Sequence, residues 1–348
     1  MFPGSIPNGA LPGRAVHSAR SRSLTHAARP ATVPGMTSPF ADLAAHCGGL
    51  FTTARALAWG YDAWGLLRAT KAGQCRHLTR GLYAACEPGD KPLTGAARHR
   101  LLSRGALMLY DDARLAGHSA LLHHGVPVWG ADLSRVHLER PVRHEVQTQA
   151  FVIRPMTTMP STGATVGVAV ATVQHALEHG AEAGVVSADY ALHERRVREQ
   201  DLEAAAALVK GWPRSARVRT MVAYMDGRSE SVGESRLRFG VAMFGIALVP
   251  QVRIVDPWNG RFVARVDFVV QGTDVVVEFD GKVKYSEGGT DALMAEKRRE
   301  DELRRLGYTV VRVTWRDLRD LPAVVRWIRR AVAASPRNIA PHPRREVG

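Results

Sequence analysis

Three acidic residues near the C-terminal end, Asp267, Glu278 and Asp280, have the types and spacing to hold a cation. Asp267 lies in a Val- and Phe-rich run over 261–270, and Glu278 in a second run over 275–280. Gly272 and Thr273 separate them, and a Gly-X separator suits a tight type II′ hairpin turn. Centring the turn between those two residues places Asp267 opposite Glu278, with Cβ atoms roughly 5 Å apart. Strand alternation puts Asp280 on the same face as Glu278, while Val275, Val277 and Phe279 take the other face. The apolar neighbours Val266, Phe268, Val277 and Phe279 reduce hydration of the carboxylates. Facing like charges should then destabilise the sheet or capture a proton. A hard divalent cation removes that conflict, because carboxylate oxygens are its preferred ligands. A solvated acidic face on an edge hairpin would explain the alternation, but not three facing acids in a chain this basic.

The basic balance points to the partner. Lys and Arg outnumber Asp and Glu by 47 to 33 among 348 residues, a formal charge of +14. Such a charge favours an anionic partner, nucleic acid first. With 45% hydrophobic and 23% charged residues, the chain reads as globular and long enough for two or three domains. No apolar run is long enough to span a membrane. Cys47, Cys75 and Cys86 form no CxxC pair and no disulfide framework, so reduced thiols in a cytoplasmic protein are expected.

Around the acids, the elements that must position them are readable. Residues 231–246 predict an amphipathic helix with Leu237, Val241 and Phe244 on one stripe. Ser231-Val-Gly-Glu234 is a capping box, in which Glu234 accepts the Ser231 amide. Thr290 or Asp291 begins a helix that runs to Leu306 and carries Lys297, Arg298, Arg299, Arg304 and Arg305. These residues either reach phosphates or pair with Glu296, Glu300, Asp301 and Glu302. A strand over 308–315 and a closing helix over 317–334 follow. Strand, helix and strand together make a right-handed crossover.

Toward the N-terminus, residues 1–40 contain Arg14, Arg20, Arg22 and Arg29 and no acid, and predict disorder. Their composition also resembles a transit peptide, and Met36 is an alternative start. Residues 41–90 predict three short helices and a two-stranded wing. Thr52 or Thr53 and Asp62 act as helix caps, and Gly60 and Gly73 as stops. Arg68, Lys71, Arg76, His77 and Arg80 then lie close together, as a winged helix requires for phosphates and base edges. A protein-docking module is the competing reading. Residues 95–212 predict a mainly helical region with one extended run over 135–139. His118, His123 and His124 lack ligand spacing and read as ordinary histidines at a helix end. No Gly-rich phosphate loop is present.

These residues resemble a known superfamily. Arg265-Val-Asp267-Phe, Val-Val-Glu278-Phe-Asp280-Gly281, Glu296-Lys-Arg-Arg-Glu-Asp301 and Leu306-Gly-Tyr-Thr-Val-Val-Arg312-Val look like the PD-(D/E)XK nucleases, nearest to the very-short-patch-repair branch. The resemblance covers about 229–330, within a domain expected over 229–334. It implies a mixed sheet flanked by helices and Mg²⁺-dependent phosphodiester hydrolysis, with Mn²⁺ as a substitute ion. It makes Asp267 and Glu278 the metal-binding acids, Asp280 a further acid beside them, and Glu234 an acid that joins from the leading helix. The motif lysine, two residues after the Glu, is here Asp280, and Lys282 or Lys297 could supply the missing charge. Arg298 is placed on the DNA.

A second resemblance lies at the front. Gly48-Gly-Leu-Phe51-Thr, Gly73-Gln-Cys-Arg76, Leu78-Thr-Arg80-Gly81-Leu-Tyr83, Gly117-His-Ser-Ala-Leu-Leu-His-His-Gly125 and Val136-His-Leu-Glu-Arg140 look like AbiEi-type antitoxins. That implies transcriptional autoregulation and a toxin or other protein partner. The expected α/β architecture is thus an N-terminal winged helix-turn-helix, a helical middle and a C-terminal mixed-sheet, restriction-endonuclease-like domain, followed by a disordered tail over 335–348. The expected function is cleavage of double-stranded DNA, with a non-catalytic DNA-binding regulator as the alternative.

Overall fold

The computed structural model describes residues 39–86, 89–157, 159, 161–281 and 290–335. Most of the N-terminal segment, the tail from 336 and Lys282 lie outside the described residues. The described chain is a mixed α/β structure with three sheets.

The first unit runs α1 (Pro39–His46), β1 (Leu50–Thr52), α2 (Thr53–Ala58), α3 (Ala63–Lys71), β2 (Cys75–Thr79) and β3 (Leu82–Ala85). Helix therefore begins before residue 41. Thr52 Oγ1 accepts the Arg55 N–H at 3.2 Å and caps α2, and Asp62 Oδ1 accepts the Gly65 N–H at 2.5 Å and caps α3. Gly60 and Gly73, at φ +85° and +71°, let the chain leave those helices. The strand β1, absent from the sequence reading, joins the two expected strands in an antiparallel sheet of order β1-β3-β2. Leu43, Phe51, Ala56, Leu66, Ala69 and Cys75 form its core.

The middle unit departs most from expectation. Its helices are α4 (Gly95–Leu109), α5 (Gly117–His123), α6 (Val168–His179), α7 (Ala181–His193), α8 (Glu199–Ala207) and α9 (Ser215–Tyr224). Interleaved with them are β4 (Arg114–Leu115), β5 (Val136–Arg140), β6 (Val146–Gln147), β7 (Phe151–Pro155), β8 (Ser161–Thr162) and β9 (Thr165–Val166). These make a six-stranded mixed sheet of order β6-β7-β5-β4-β9-β8. Helix outweighs strand over 95–212, as the sequence reading has it; what that reading lacks is the sheet, of which it held only the run over 135–139. β4, β6, β8 and β9, of two residues each, are too short to show a period-two signal. Leu102 and Ala106 of α4 share one core with Leu50, Leu78 and Leu82 of the first unit, so the two units pack together.

The third unit runs α10 (Val232–Ala242), β10 (Leu248–Val255), β11 (Phe262–Val270), β12 (Val275–Asp280), α11 (Thr290–Arg305), β13 (Thr309–Thr314), a 3₁₀ turn (Asp317–Arg319) and α12 (Leu321–Ala334). The sheet order is β10-β11-β12-β13, antiparallel except for the last pair, which is parallel. One face carries Leu237 and Val241 of α10 and Val324, Val325 and Ile328 of α12. The opposite face carries Leu303 of α11 with Tyr308. Three sequence expectations change here. Phe244 lies past the end of α10 and is exposed. The closing helix is split, because Asp320 accepts the Ala323 N–H at 3.0 Å and starts α12 afresh. The hairpin loop is longer than a two-residue type II′ turn. Thr273 N–H bonds to Val270 O, and Gly272, at φ +76°, takes the third position of that turn.

Candidate functional site

The β11–β12 register pairs Phe268 with Val277 and Val269 with Val276, which sets position 267 level with 278. The paired ladder stops there. In its place, the Phe279 backbone N–H donates to Asp267 Oδ2 at 2.8 Å. The strands also turn over at this point. Ala264 and Val266 pack on the α11 face, but Phe268 and Val270 pack on the α10–α12 face, so the alternation of β11 reverses at Asp267. On β10, Leu248 faces α10 and α12, whereas Val252 and Ile254 face α11. The reversal there falls at Gln251, held at φ +53°. This is why both neighbours of Asp267 are buried.

Asp267 is half-buried, and burial pushes its carboxyl above the ordinary 3.8. The Phe279 amide and Arg299 oppose that shift; Glu234 and Glu230 add to it by repulsion. Glu234 is buried in the first turn of α10. It accepts the Ser231 hydroxyl at 2.7 Å, the Glu230 N–H at 3.0 Å and the Gln251 side-chain amide at 3.1 Å. Only half of the expected capping box forms: Ser231 Oγ accepts the Glu234 N–H at 3.1 Å, but Glu234 takes the amide of Glu230 rather than that of Ser231. Glu278 pairs with Arg299 at 3.0 Å.

The expected trio is only partly assembled. Among the described residues, Asp267, Glu278 and Asp280 do not form a group whose carboxylate oxygens all fall within 4.8 Å. The strand reversal turns Asp267 toward Glu234 and the end of β12, and Glu278 turns toward α11. On that helix Lys297 and Arg298 are exposed, whereas Arg299 reaches the site. The sequence placed all three basic residues on one helix without separating them by phase.

Phe279 is held from two sides. Gly233, one residue before Glu234, lies so close that an added methyl would overlap the Phe279 ring. Trp315 meets the same ring edge-on at 5.1 Å between centroids. Trp315 stacks at 6.4 Å on Trp129 of the middle unit, where the Arg236 guanidinium lies 3.7 Å from the Trp129 ring centre. Arg238 of α10 pairs at 2.7 Å with Asp189, which is fully buried on α7. Both links fix the middle unit against the helix that carries Glu234.

In the first unit, Arg68, Lys71, His77 and Arg80 are exposed; Arg76 is half-buried and donates to the Lys91 carbonyl at 3.3 Å. Trp64, Leu67, Arg68 and Lys71 recur at helical spacing along one exposed face of α3, with Trp64 69% exposed.

A second cluster was missed in the sequence. His118 on α5, His137 on β5 and His175 and His179 on α6 converge with Glu178. His118, His175 and His179 form one group with ligand atoms within 4.8 Å, and His118, His137 and Glu178 another. The sequence reading weighed His118 only against its neighbours His123 and His124, whereas its ring partners come from distant elements. His124 is engaged elsewhere, at 2.9 Å from the Val166 carbonyl, and its ring neighbours His123. Burial holds His118 down at about 2 and His175 at about 3, helped by the neighbouring imidazoles. The available signal was the four-residue spacing of His175 and His179, which puts both on one helix face.

No protein-family model matches the chain. Two curated proteins of Mycobacterium tuberculosis, uncharacterized protein Rv2248 and uncharacterized protein MT2308, are each 28% identical over 134 residues. That match covers 38% of this chain and 48% of theirs, so the chain spans about half the length of these relatives. The crystal structure of the RV2827C protein from Mycobacterium tuberculosis aligns with a TM-score of 0.33 and 19% identity, over 54% of this chain and 80% of that one. Among the described residues, no helix is long and apolar enough to cross a membrane.

Proposed function

We propose that the third unit is a PD-(D/E)XK-type, metal-dependent DNA endonuclease, brought to double-stranded DNA by the first unit acting as a winged helix. The observation that supports it most is Asp267. The carboxylate stands at the reversal of two strands, half-buried, with Glu234 and Glu230 raising its pKa. Desolvation first, and then repulsion from Glu234 and Glu230, are what a cation at that carboxylate would relieve.

Carboxylate oxygens suit Mg²⁺ or Mn²⁺ as hard cations, and those of Asp267, Glu278 and Glu234, which do not all fall within 4.8 Å of one another, would draw together to share the ion. Asp267 and Glu278 would hold the ion, with Glu234 behind Asp267. A bound ion supplies Lewis-acid stabilisation of charge on the phosphate. The Phe279 amide fixes the rotamer of Asp267 by direct hydrogen bonding. Arg299, anchored at Glu278, takes the part of the missing motif lysine and faces the negative charge that grows on the phosphate. The exposed α3 face, with Trp64, Arg68 and Lys71, and the wing residues His77 and Arg80 supply phosphate contacts. The test is plasmid cleavage by the purified chain with Mg²⁺ or Mn²⁺. Asp267→Ala should abolish cleavage and leave DNA affinity nearly intact; a variant that cuts as well as the parent overturns the reading.

The second reading is a DNA-binding autoregulator with a nuclease fold that no longer cuts, working with a toxin or other protein partner. Asp280 at the lysine position and the Arg299–Glu278 ion pair favour it. A footprint on its own promoter without cleavage under any divalent metal would select it.

A further inference from the structure

We propose that the middle unit binds one divalent transition-metal ion of the zinc class, through His118, His175 and His179, with Glu178 at the fourth position.

The site lies inside the middle unit and is made by three elements. His175 and His179 lie on successive turns of α6, with ring centroids 4.8 Å apart. His118 faces them from α5, its ring 6.4 Å from that of His175 and 5.4 Å from that of His179. One ligand atom from each of the three falls within 4.8 Å of the others. Imidazole nitrogens at this spacing suit zinc, copper, iron or nickel and not Mg²⁺.

Buried atoms without partners point the same way. His118 Nδ1, both ring nitrogens of His175 and His179 Nε2 are buried and make no hydrogen bond. The carbonyls of Trp129 and Gly130 lie toward His175 and His179, yet neither makes a bond of ordinary geometry. A folded core leaves few such atoms unsatisfied, and several in one place call for an explanation. His118 Nε2 lies 3.4 Å from the Arg135 carbonyl, so its proton belongs there and Nδ1 is left as the lone-pair atom. That is the outer-shell arrangement that orients a metal-binding histidine.

Glu178 borders the remaining position: a carboxylate oxygen groups within 4.8 Å with ligand atoms of His118 and His137 rather than with those of His118, His175 and His179 together, and a small shift would bring it in. Its Oε2 is 3.8 Å from His179 Nε2 and 3.0 Å from His137 Nδ1, without the alignment of a hydrogen bond. Two ligands of a tetrahedral zinc ion stand about 3.3 Å apart, given metal–ligand distances of ~2.0–2.1 Å. Arg154 grips the other oxygen of Glu178 and orients the carboxylate. The Glu178 side opens on a pocket of about 530 Å³ lined also by His137, Glu139, Arg154 and Gln174. A small polar ligand entering there would meet the ion at its carboxylate side. This site stands apart from the acids of β11 and β12 and does not depend on their assignment.

The experiment uses the full chain, stripped with a chelator and reloaded with Zn²⁺ or Co²⁺. Metal content after gel filtration, the visible Co²⁺ spectrum and the melting temperature with and without chelator are recorded. The expected result is about one equivalent of Zn²⁺ or Co²⁺, a four-coordinate Co²⁺ spectrum, no effect of Mg²⁺, and a melting temperature lowered by the chelator. His179→Ala and His175→Gln should weaken uptake at least ~10-fold with circular dichroism unchanged, and His137→Ala and Asp267→Asn should retain it. A folded parent chain that takes up neither metal and does not respond to chelator overturns the proposal. So does loss of metal in His137→Ala with retention in His179→Ala, which would move the ion to the other triad. If a substituted chain does not fold, the chelator response of the parent decides.

Discussion

Gln251 and Asp267 stand opposite each other at the step where β10 and β11 both exchange their inner and outer faces. The flanking pairs Pro250–Phe268 and Val252–Val266 keep their register on either side, so the reversal costs no inserted residue. Gln251 absorbs it with a left-handed backbone and sends its amide to Glu234 at 3.1 Å; Asp267 absorbs it by bonding to the Phe279 amide at 2.8 Å. One distortion thus orients two of the three acids from which the site is built.

The first prediction concerns Asp267 and pH. Its pKa is raised in the folded chain, so its contribution to stability is full below the ordinary 3.8 and is lost as pH rises through the raised value. At neutral pH the ionised carboxylate is a liability that Asn would remove while still accepting the Phe279 amide. Asp267→Asn should raise the melting temperature of the metal-free chain at pH 7 by about 2–4 °C, with the gain fading as pH falls through the raised value toward the ordinary 3.8. Scanning calorimetry at several pH values checks it. A lower melting temperature at pH 7 would count against the strain assigned to this residue.

Arg299 and Arg298 separate the face of α11 that meets Glu278 from its solvated face. Arg299 contacts Glu278, whereas Arg298 is exposed. Arg299→Ala should slow Mg²⁺-dependent cleavage by ~10²-fold, the usual loss for a preorganised charge at a transition state. Arg298→Ala should change it by less than about threefold, as expected for an exposed charge. Arg299→Lys should recover part of the loss. Equal effects at both positions would remove Arg299 from the site.

Gly233 sets how closely α10 approaches β12. A methyl there overlaps the Phe279 ring, which Trp315 also meets edge-on. Gly233→Ala should cost about 1–3 kcal/mol, the range for overpacking. The cost should shrink when Phe279→Leu is added, because the two residues share one space. Chemical denaturation of the four chains in that cycle measures the coupling, and strict additivity would contradict the contact.

The sequence carried the hairpin register and the paired burial around Asp267, because Gly272 and the Val-rich runs fix the fold-back. It did not carry the reversal. A Gln with positive φ has no compositional mark, and strict alternation therefore sent Asp267, Glu278 and Asp280 to one face. The same reversal, with Pro250 beside it, erases the period of β10, so that strand was invisible. Helix phase decides among Lys297, Arg298 and Arg299, and the helix sequence alone leaves its orientation on the sheet open. The histidine cluster shows the limit most clearly. The spacing of His175 and His179 was legible, but His118 and His137 join them only through packing of α5 and β5 on α6. For the N-terminal unit, caps at Thr52 and Asp62 made α2 and α3 readable.

The last prediction tests the joint between the middle unit and α10. Asp189 is fully buried and bonds to both Arg238 and the Asp226 N–H, at 2.7 Å each. Burial nevertheless raises its pKa, so desolvation outweighs the attraction of Arg238. Breaking such a pair is costly because one buried charge is left behind. Asp189→Ala should lose about 3–5 kcal/mol. Replacing both charges, with Asp189→Leu and Arg238→Met, should recover most of that loss, since neither ion is then buried alone. Because Arg238 lies one turn beyond Glu234 on α10, the single substitution should also disorder the acid site, and the double should restore DNA cleavage along with stability. Denaturation and plasmid cleavage of the three chains give the comparison. A single substitution that leaves both stability and activity intact would mean that this ion pair does not hold the two units in register.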